Sequence, residues 1–506
     1  MNPLKAVDEL LNSITMYRLL VYALSSLALI AIVFSFTGVL TLSGPGLSLS
    51  LSTLLVVCFA VNWALAKVWR AMPSTESWLI TALILFFILP PTNTAARFLG
   101  LVGVGILAMA SKYLLAFRRK HIFNPAAIAL VIGSLLEISS AIWWVGNKTM
   151  FPLLAFVGIL ILRKLRHVTL ALVFVAATLI TVVLFNLDSD LGLSSVLQTA
   201  VMSSPLVFLG AIMLTEPATM PSTKGWRLVF AALVGVVSVA EVSILDRSIT
   251  AEMALVAGNA LAFMVSPRYK TILEFVRRQP VAPGSTVYDY VFKSSEKLAF
   301  QPGQYMELTL PHTKPDTRGN RRVFTIASSP TENDVHFGIK INEQTSSFKR
   351  ALQTLVPGQK LIGGQIAGGF VLSKKTEEKL LMIAGGIGVT PFRSMAKHLI
   401  DSNESRDAVL FYMIASPSEL AFKDVFTEAG SHGLKTMPVL SGEAPQDWKG
   451  MTGPLSADDF QKVVPDLKHR RVYISGPPGM VDAYKKILVR AGVPRTRIVT
   501  DHFSGY

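Results

Sequence analysis

Ten apolar stretches crowd the first 266 residues and none follows them, and that break dictates the broad architecture. They lie near 18–41, 47–66, 77–91, 97–116, 123–139, 148–162, 168–186, 199–214, 227–245 and 250–266. Most run roughly 17–25 residues, the length a helix needs to cross a ~30 Å hydrocarbon core, and the stretch at 123–139 is short enough to be re-entrant. Of the 506 residues 51% are hydrophobic and 16% charged, against about 25% charged in ordinary soluble domains. A wholly soluble globular protein is excluded. The expected fold is a polytopic α-helical membrane domain of about ten transmembrane helices followed by a water-soluble half.

The net charge of +15 is placed beside the apolar stretches. Lys67/Arg70, Arg118/Arg119/Lys120, Arg163/Lys164/Arg166, Lys224/Arg227 and Arg268/Lys270 mark alternate connectors, whereas Asp188, Asp190 and Asp246 fall in the others. That alternation is the positive-inside pattern of a multi-pass cell-membrane protein, with both termini and the soluble half cytoplasmic. It also argues against nucleic acid as a partner, because the basic residues do not gather on a groove-reading element. The first apolar stretch is too long for a cleavable signal and lacks an A-x-A site. The single cysteine, Cys58, lies inside an apolar stretch. It excludes an internal disulfide, a four-cysteine iron–sulfur cluster and a CxxC site, so redox chemistry needs an organic or haem cofactor. No metal site is expected.

From about residue 267 the pattern turns to short period-2 strands broken by Gly and Pro, as in 286–292 and 304–310, which predicts a small antiparallel β-barrel. From about residue 379 buried strands alternate with helical stretches, which predicts a parallel α/β nucleotide-binding domain. The expected boundaries are 1–270, 271–375 and 376–506. One strand runs into Gly385-Gly386-Ile387-Gly388-Val389-Thr390-Pro391, and another ends in Ser475-Gly476-Pro477-Pro478-Gly479-Met480. Glycines at a strand-to-helix turn let backbone N–H groups approach a pyrophosphate at a helix N-terminus. One such turn is weak; two in one sheet point to a dinucleotide.

With the barrel segments 302–308 and Arg322-Val323-Phe324-Thr325, these motifs resemble the ferredoxin–NADP reductase superfamily, whose FAD-binding barrel precedes an NAD-binding domain. The resemblance covers about residues 272–506. It implies that Arg322 pairs with the FAD pyrophosphate, Phe324 lies against the isoalloxazine and Thr325 hydrogen-bonds near flavin N5. Ser347 takes the family's phosphate-binding serine position, although Gln344 replaces the usual glycine. Gly385, Gly386, Gly388, Thr390, Pro391, Gly476, Pro477 and Met480 take the nicotinamide-dinucleotide positions. Ser475 stands where the family has a cysteine close to the nicotinamide, and Phe503 or Tyr506 matches the terminal aromatic on the flavin face. The ordinary reading of these residues is a surface Arg, a core Phe, a strand Thr and a frayed end.

The N-terminal half has only His121 and His167, too few for a two-haem wire. His121-Ile-Phe-Asn-Pro-Ala-Ala127, Trp143-Trp144-Val145-Gly146 and 204–226 resemble the NqrB/RnfD family, the flavin-carrying membrane subunits of the sodium-pumping NADH:quinone reductase and the Rnf complex. The resemblance implies electron transport through a second flavin, FMN or riboflavin, with Asn124, Asn147, Thr215 and Glu216 as its hydrogen-bonding candidates. Their ordinary reading is helix capping. The covalent-attachment threonine motif is missing, so that flavin is expected to be noncovalent. Glu137, Glu241 and Asn259 are further polar groups of the apolar half, each near a stretch end or within reach of a neighbour.

The expected function is an NAD(P)H-dependent flavin oxidoreductase passing electrons from cytoplasmic NADH through FAD to a membrane-domain flavin, a quinone or an outer-side acceptor. The alternatives are a redox-driven cation (Na⁺ or H⁺) transporter and an FAD reductase merely anchored by its helices. Coenzyme choice reads on Tyr412-Met413-Ile414-Ala415-Ser416, where alanine replaces the arginine that NADPH-preferring relatives use to grip the 2′-phosphate. NADH is expected, and Lys423, close in sequence, is the residue placed to upset that choice.

Overall fold

The computed structural model describes all residues except 1–6, 8–10, 12–13, 70–74, 118–119, 188–191, 241–242, 245–246, 267–269, 317–318, 344, 443, 447, 449 and 503–506. The chain divides into two compact units, Met1–Tyr269 and Lys270–Tyr506.

Every apolar stretch of the first unit gives rise to helix, but the expectation of about ten spans is not met by helix length. Four helices are long and apolar enough to cross a membrane: Met16–Phe36, Gly44–Val68, Ala95–Leu114 and Val168–Phe185. A fifth candidate is a bent pair, Leu193–Met202 with Leu206–Met213, turned by 50°. The others are shorter, as in Thr75–Ile88 (14 residues), Pro125–Leu135 (11), Lys224–Val237 (14) and Ala251–Val265 (15). Local chemistry sets these limits. Asn124 caps Pro125–Leu135, its Oδ1 accepting from Ala126 N and Ala127 N, with proline at the first helical position. Pro205 interrupts the bent pair, and a π-turn at Leu209–Met213 ends it. Phe86, Phe87, Phe174, Phe208 and Phe230 are fully buried between these helices.

The second unit holds two six-stranded sheets. The first is antiparallel, from β1 (Thr271–Pro280), β2 (Val287–Ser294), β3 (Tyr305–Thr309), β4 (Arg321–Thr325), β5 (Asp334–Lys340) and β6 (Lys360–Ala367), in the order β4-β3-β6-β1-β2-β5. Just past β4, the Ala327 N–H donates to His336 O on β5 at 2.8 Å, so the two edges of the sheet meet. That single bond brings the two edges together in the manner of the small barrel expected from the alternating pattern, although β4 and β5 do not pair as strands. One short helix, α1 (Ser347–Gln353), joins β5 to β6.

The second sheet is parallel, in the order β10-β9-β8-β7-β11-β12. Its strands are β7 (Leu380–Gly385), β8 (Ala408–Ile414), β9 (Leu434–Leu440), β10 (Met451–Thr452), β11 (Arg471–Gly476) and β12 (Ile498–His502). Helices α2 (Thr390–Asp401), α3 (Lys423–Glu428), α4 (Ala457–Val463) and α5 (Pro478–Arg490) connect them. Strands β7 and β8 are buried along their whole length, which is why they read as continuous apolar runs rather than as alternation.

Candidate functional site

The order of the parallel sheet locates a crevice. From β7 the chain proceeds outward through β8 and β9, then crosses back to β11 on the other side, so the direction of winding reverses between β7 and β11. Ligands of open α/β sheets bind outside the carboxyl ends of the strands at such a switch point. Ala384 pairs with Ser475 in register, which brings the two Gly-rich turns side by side. Their fit is tight. A Cβ on Gly388 would lie 2.5 Å from Ser475 O, and one on Gly385 would lie 2.4 Å from Met480 Sδ. Gly386 has φ +51° with open space around it, a left-handed conformation that glycine adopts without steric cost. Thr390 and Pro391 then begin α2, which continues directly from a 3-10 turn at Gly386–Val389, Thr390 N donating to Ile387 O. Ser475 Oγ is fully buried with no hydrogen-bond partner.

The flavin candidates gather in the barrel. Arg322 on β4, Phe324 two residues on, and Ser347 at the start of α1 meet around Phe348. The Arg322 guanidinium carbon is 5.4 Å from the Phe348 ring centroid, and the Phe324 ring is 5.9 Å from it. Thr325 ends β4, is buried, and pairs with Tyr305. Asp316 joins the group, a residue the sequence did not single out. One of its carboxylate oxygens accepts from Arg322 Nη2 at 2.6 Å and the other from Ser347 N at 3.2 Å. The Ser347 hydroxyl accepts from Asp316 N at 2.9 Å and lies 3.0 Å from His312 Nε2. A carboxylate thus stands in for an anion between the two groups that the resemblance assigns to FAD phosphates. This is the fit expected of a phosphate cradle: a guanidinium and a backbone N–H converge on one negative group, with the Ser347 hydroxyl beside them held by Asp316 N.

Because Asp316 competes for the cradle, Asp316→Asn should tighten FAD binding by about three- to tenfold, some 0.7–1.4 kcal/mol. Titrating flavin-free protein with FAD and following the quenching of flavin fluorescence checks this. Weaker binding in the variant would mean that Asp316 organises the cradle rather than competing for it.

Beyond β8 the coenzyme-choice segment is held by Tyr412. Its hydroxyl donates to Glu419 O at 3.2 Å and accepts from Ala421 N at 3.3 Å. Burial pushes this hydroxyl above the usual tyrosine range. Glu419 is paired with Lys340 of the barrel at 2.6 Å, Ser416 and Ser418 share a hydrogen bond at 2.9 Å, and Lys423 opens α3 exposed to solvent.

In the first unit the four candidates part company. Asn124 and Glu216 come together, the amide donating to Glu216 Oε2 at 2.8 Å, with Thr219 Oγ1 3.2 Å and His121 Nε2 3.5 Å from the same carboxylate. Asn259, fully buried, accepts from Asn124 N at 2.8 Å and donates to Thr219 O at 3.2 Å. Asn147 instead caps its own turn through Thr149 N and Met150 N, and the Thr215 hydroxyl bonds back to Ala211 O. Asn147 is taken up by this turn ahead of the helix Phe151–Leu165, its Nδ2 also donating to Trp144 O at 2.8 Å. Glu137 lies exposed in the turn after its helix. Gln344, Glu241, Phe503 and Tyr506 lie outside the described residues, and among the described residues no cluster of three metal-ligating side chains occurs.

Residues 382–486 match the oxidoreductase NAD-binding domain family. The chain is 27% identical over 201 residues to the glycine betaine monooxygenase reductase subunit of Chromohalobacter salexigens, an alignment spanning 38% of this chain and 53% of that one. It is 28% identical over 253 residues to the propane 2-monooxygenase reductase component of Mycolicibacterium smegmatis, spanning 47% and 66%. The alignments thus take in about half to two thirds of these relatives' length. Among solved structures, an Amycolatopsis cytochrome P450 reductase superposes with a TM-score of 0.42 at 22% identity, covering 47% of this chain and 70% of that one. Residues 382–486 therefore carry an oxidoreductase NAD-binding domain, and the two relatives named are reductase components.

Proposed function

We propose that the protein is a membrane-embedded flavin-dependent NAD(P)H oxidoreductase whose C-terminal unit takes reducing equivalents from NADH. The carrying observation is the pairing of two Gly-rich turns at the sheet's switch point with the Arg322–Ser347 anion cradle of the neighbouring barrel. Bound in that barrel, FAD supplies the exchange between a two-electron donor and one-electron acceptors. The chain's own residues bind and orient. Arg322 and Ser347 hold phosphate, Phe324 offers an apolar ring, Thr325 a hydroxyl, and the turn at Gly385–Pro391 presents backbone N–H groups to the coenzyme pyrophosphate.

Placement of the first unit in a bilayer is supported by its four long apolar helices and by outward-facing side chains such as Leu172, Ile180 and Leu184, each more than 60% exposed. Apolar surface on that scale needs an apolar surrounding. The basic connectors support cytoplasmic termini. As to the role of this unit, electrons leave for a quinone, an outer-side acceptor or a second flavin. A simple anchor is the second reading, favoured because Asn124 and Glu216 satisfy each other while Asn147 and Thr215 bond to backbone. The flavin content of purified protein separates them: one FAD per chain supports the anchor, FAD with FMN or riboflavin the wire.

NADH is the preferred donor in this reading. The turn after β8 offers alanine at 415 and a carboxylate at 419, a poor setting for a dianionic 2′-phosphate. One missing charge-assisted contact is worth roughly 1.5–3 kcal/mol, about ten- to a hundredfold. Steady-state kcat/KM for the two coenzymes with ferricyanide as acceptor tests both the activity and the choice. Ala415→Arg should move the ratio toward NADPH, and a wild-type preference for NADPH would overturn the assignment.

A further inference from the structure

We propose that Arg393 is a positioning residue that sets the spacing between the flavin end of the barrel and the nicotinamide end of α2; this rests on the reading above. Thr325 ends β4, and the segment just beyond it, 327–332, is tied to α2 close to Thr390. Arg393, one turn into α2, forks onto Glu332, with Nη2 2.9 Å from Oε1 and Nη1 bonded to Oε2. The same guanidinium donates to Ala327 O at 3.0 Å and lies 5.7 Å from the Phe422 ring centroid. Glu332 is fixed in turn by Ser329 N at 2.6 Å. Next to Arg393, the fully buried Ser394 donates to Ser328 O at 2.7 Å, and at the last residue of α2 the Asp401 carboxylate accepts from Thr331 Oγ1.

The side chains of Arg393 and Glu332 are 7% and 15% exposed. A buried ion pair adds little net stability, because desolvation offsets most of its attraction, but a two-bond fork is directional and fixes register. Here it fixes the segment leading out of the flavin motif to the helix that opens the coenzyme motif. Transfer between two rings needs near-attack geometry, and an error of about 1 Å costs on the order of a hundredfold.

The test compares wild-type full-length protein with Arg393→Lys, which keeps the charge and loses the fork, and with Arg393→Met/Glu332→Leu, which leaves no orphaned charge behind. Hydrogen exchange of the full chain, measured without coenzyme, should quicken at 327–332 and 390–394 in both. FAD content and NADH affinity should stay within about twofold, whereas stopped-flow reduction of the flavin by NADH should slow by about tenfold or more. The isotope effect with 4-deuterated NADH should rise, the NADH–flavin charge-transfer absorbance should fall, and reoxidation by ferricyanide should be unchanged. Unaltered flavin reduction in both variants, or a loss that merely follows FAD content or NADH affinity, overturns the proposal. Wild-type protein that binds FAD yet is not reduced by either coenzyme overturns the functional reading instead, a result seen before any variant is compared.

Discussion

Arg322→Ala should yield a folded protein that purifies without FAD. The side chain supplies the guanidinium of the cradle, and charge-assisted bonds of this kind contribute about 1.5–3 kcal/mol each. Losing a two-bond contact therefore weakens FAD by a factor of roughly a hundred or more. The fold should tolerate the change, since the barrel core is built from Tyr290, Phe292, Phe337 and Phe348 rather than from Arg322. Flavin absorbance per chain, measured beside circular dichroism, is the check. Arg322→Lys keeps the charge but not the fork and should recover only part of the binding. Full FAD occupancy and turnover in the alanine variant would remove Arg322 from the site.

Gly388→Val should abolish NADH-driven flavin reduction and leave FAD bound. A Cβ there would sit 2.5 Å from Ser475 O and 2.7 Å from Gly476 Cα. Both are backbone atoms and cannot swing aside, so the two turns must separate. A displacement near 1 Å at a reacting geometry lowers rate by about a hundredfold. Gly479, at the start of α5 just past the second turn, has nothing within 4 Å of its would-be Cβ, so Gly479→Ala should be close to wild type. Stopped-flow reduction of the two variants by NADH distinguishes close approach from a general need for glycine. Equal effects in both would mean that the separation of the turns is not what matters.

Much of the C-terminal site was legible because its signals are local. A strand that ends in Gly385-Gly386-Ile387-Gly388 announces a backbone that must come close to something, and Arg322-Val-Phe-Thr places a cation, a ring and a hydroxyl at strand spacing. The N-terminal half was less legible. Apolar length alone does not say where a helix stops, and the stops came from Asn124-Pro125, Pro205 and the π-turn at Leu209–Met213. Asn147 and Thr215 have the same residue types as any ligand-binding pair. Asn124 caps its helix as well, and it is the amide's long-range bond to Glu216 that separates these two from Asn147 and Thr215.

By itself, the sequence determined the division into an apolar helical unit and a two-sheet unit, and the turns that need glycine. These follow from hydropathy and from steric limits on the backbone, each expressed within a few residues. Only the tertiary structure decided which distant groups meet. Asp316 enters the cradle of Arg322 and Ser347, 31 residues from the latter. Arg393 finds Glu332 across 61 positions, Asn124 finds Glu216 across 92, and Asn259 finds Asn124 across 135. No local rule selects such pairs. A buried charge or amide must have its hydrogen bonds satisfied once water is excluded, and the packing of sheets and helices fixes which partner is there to do it.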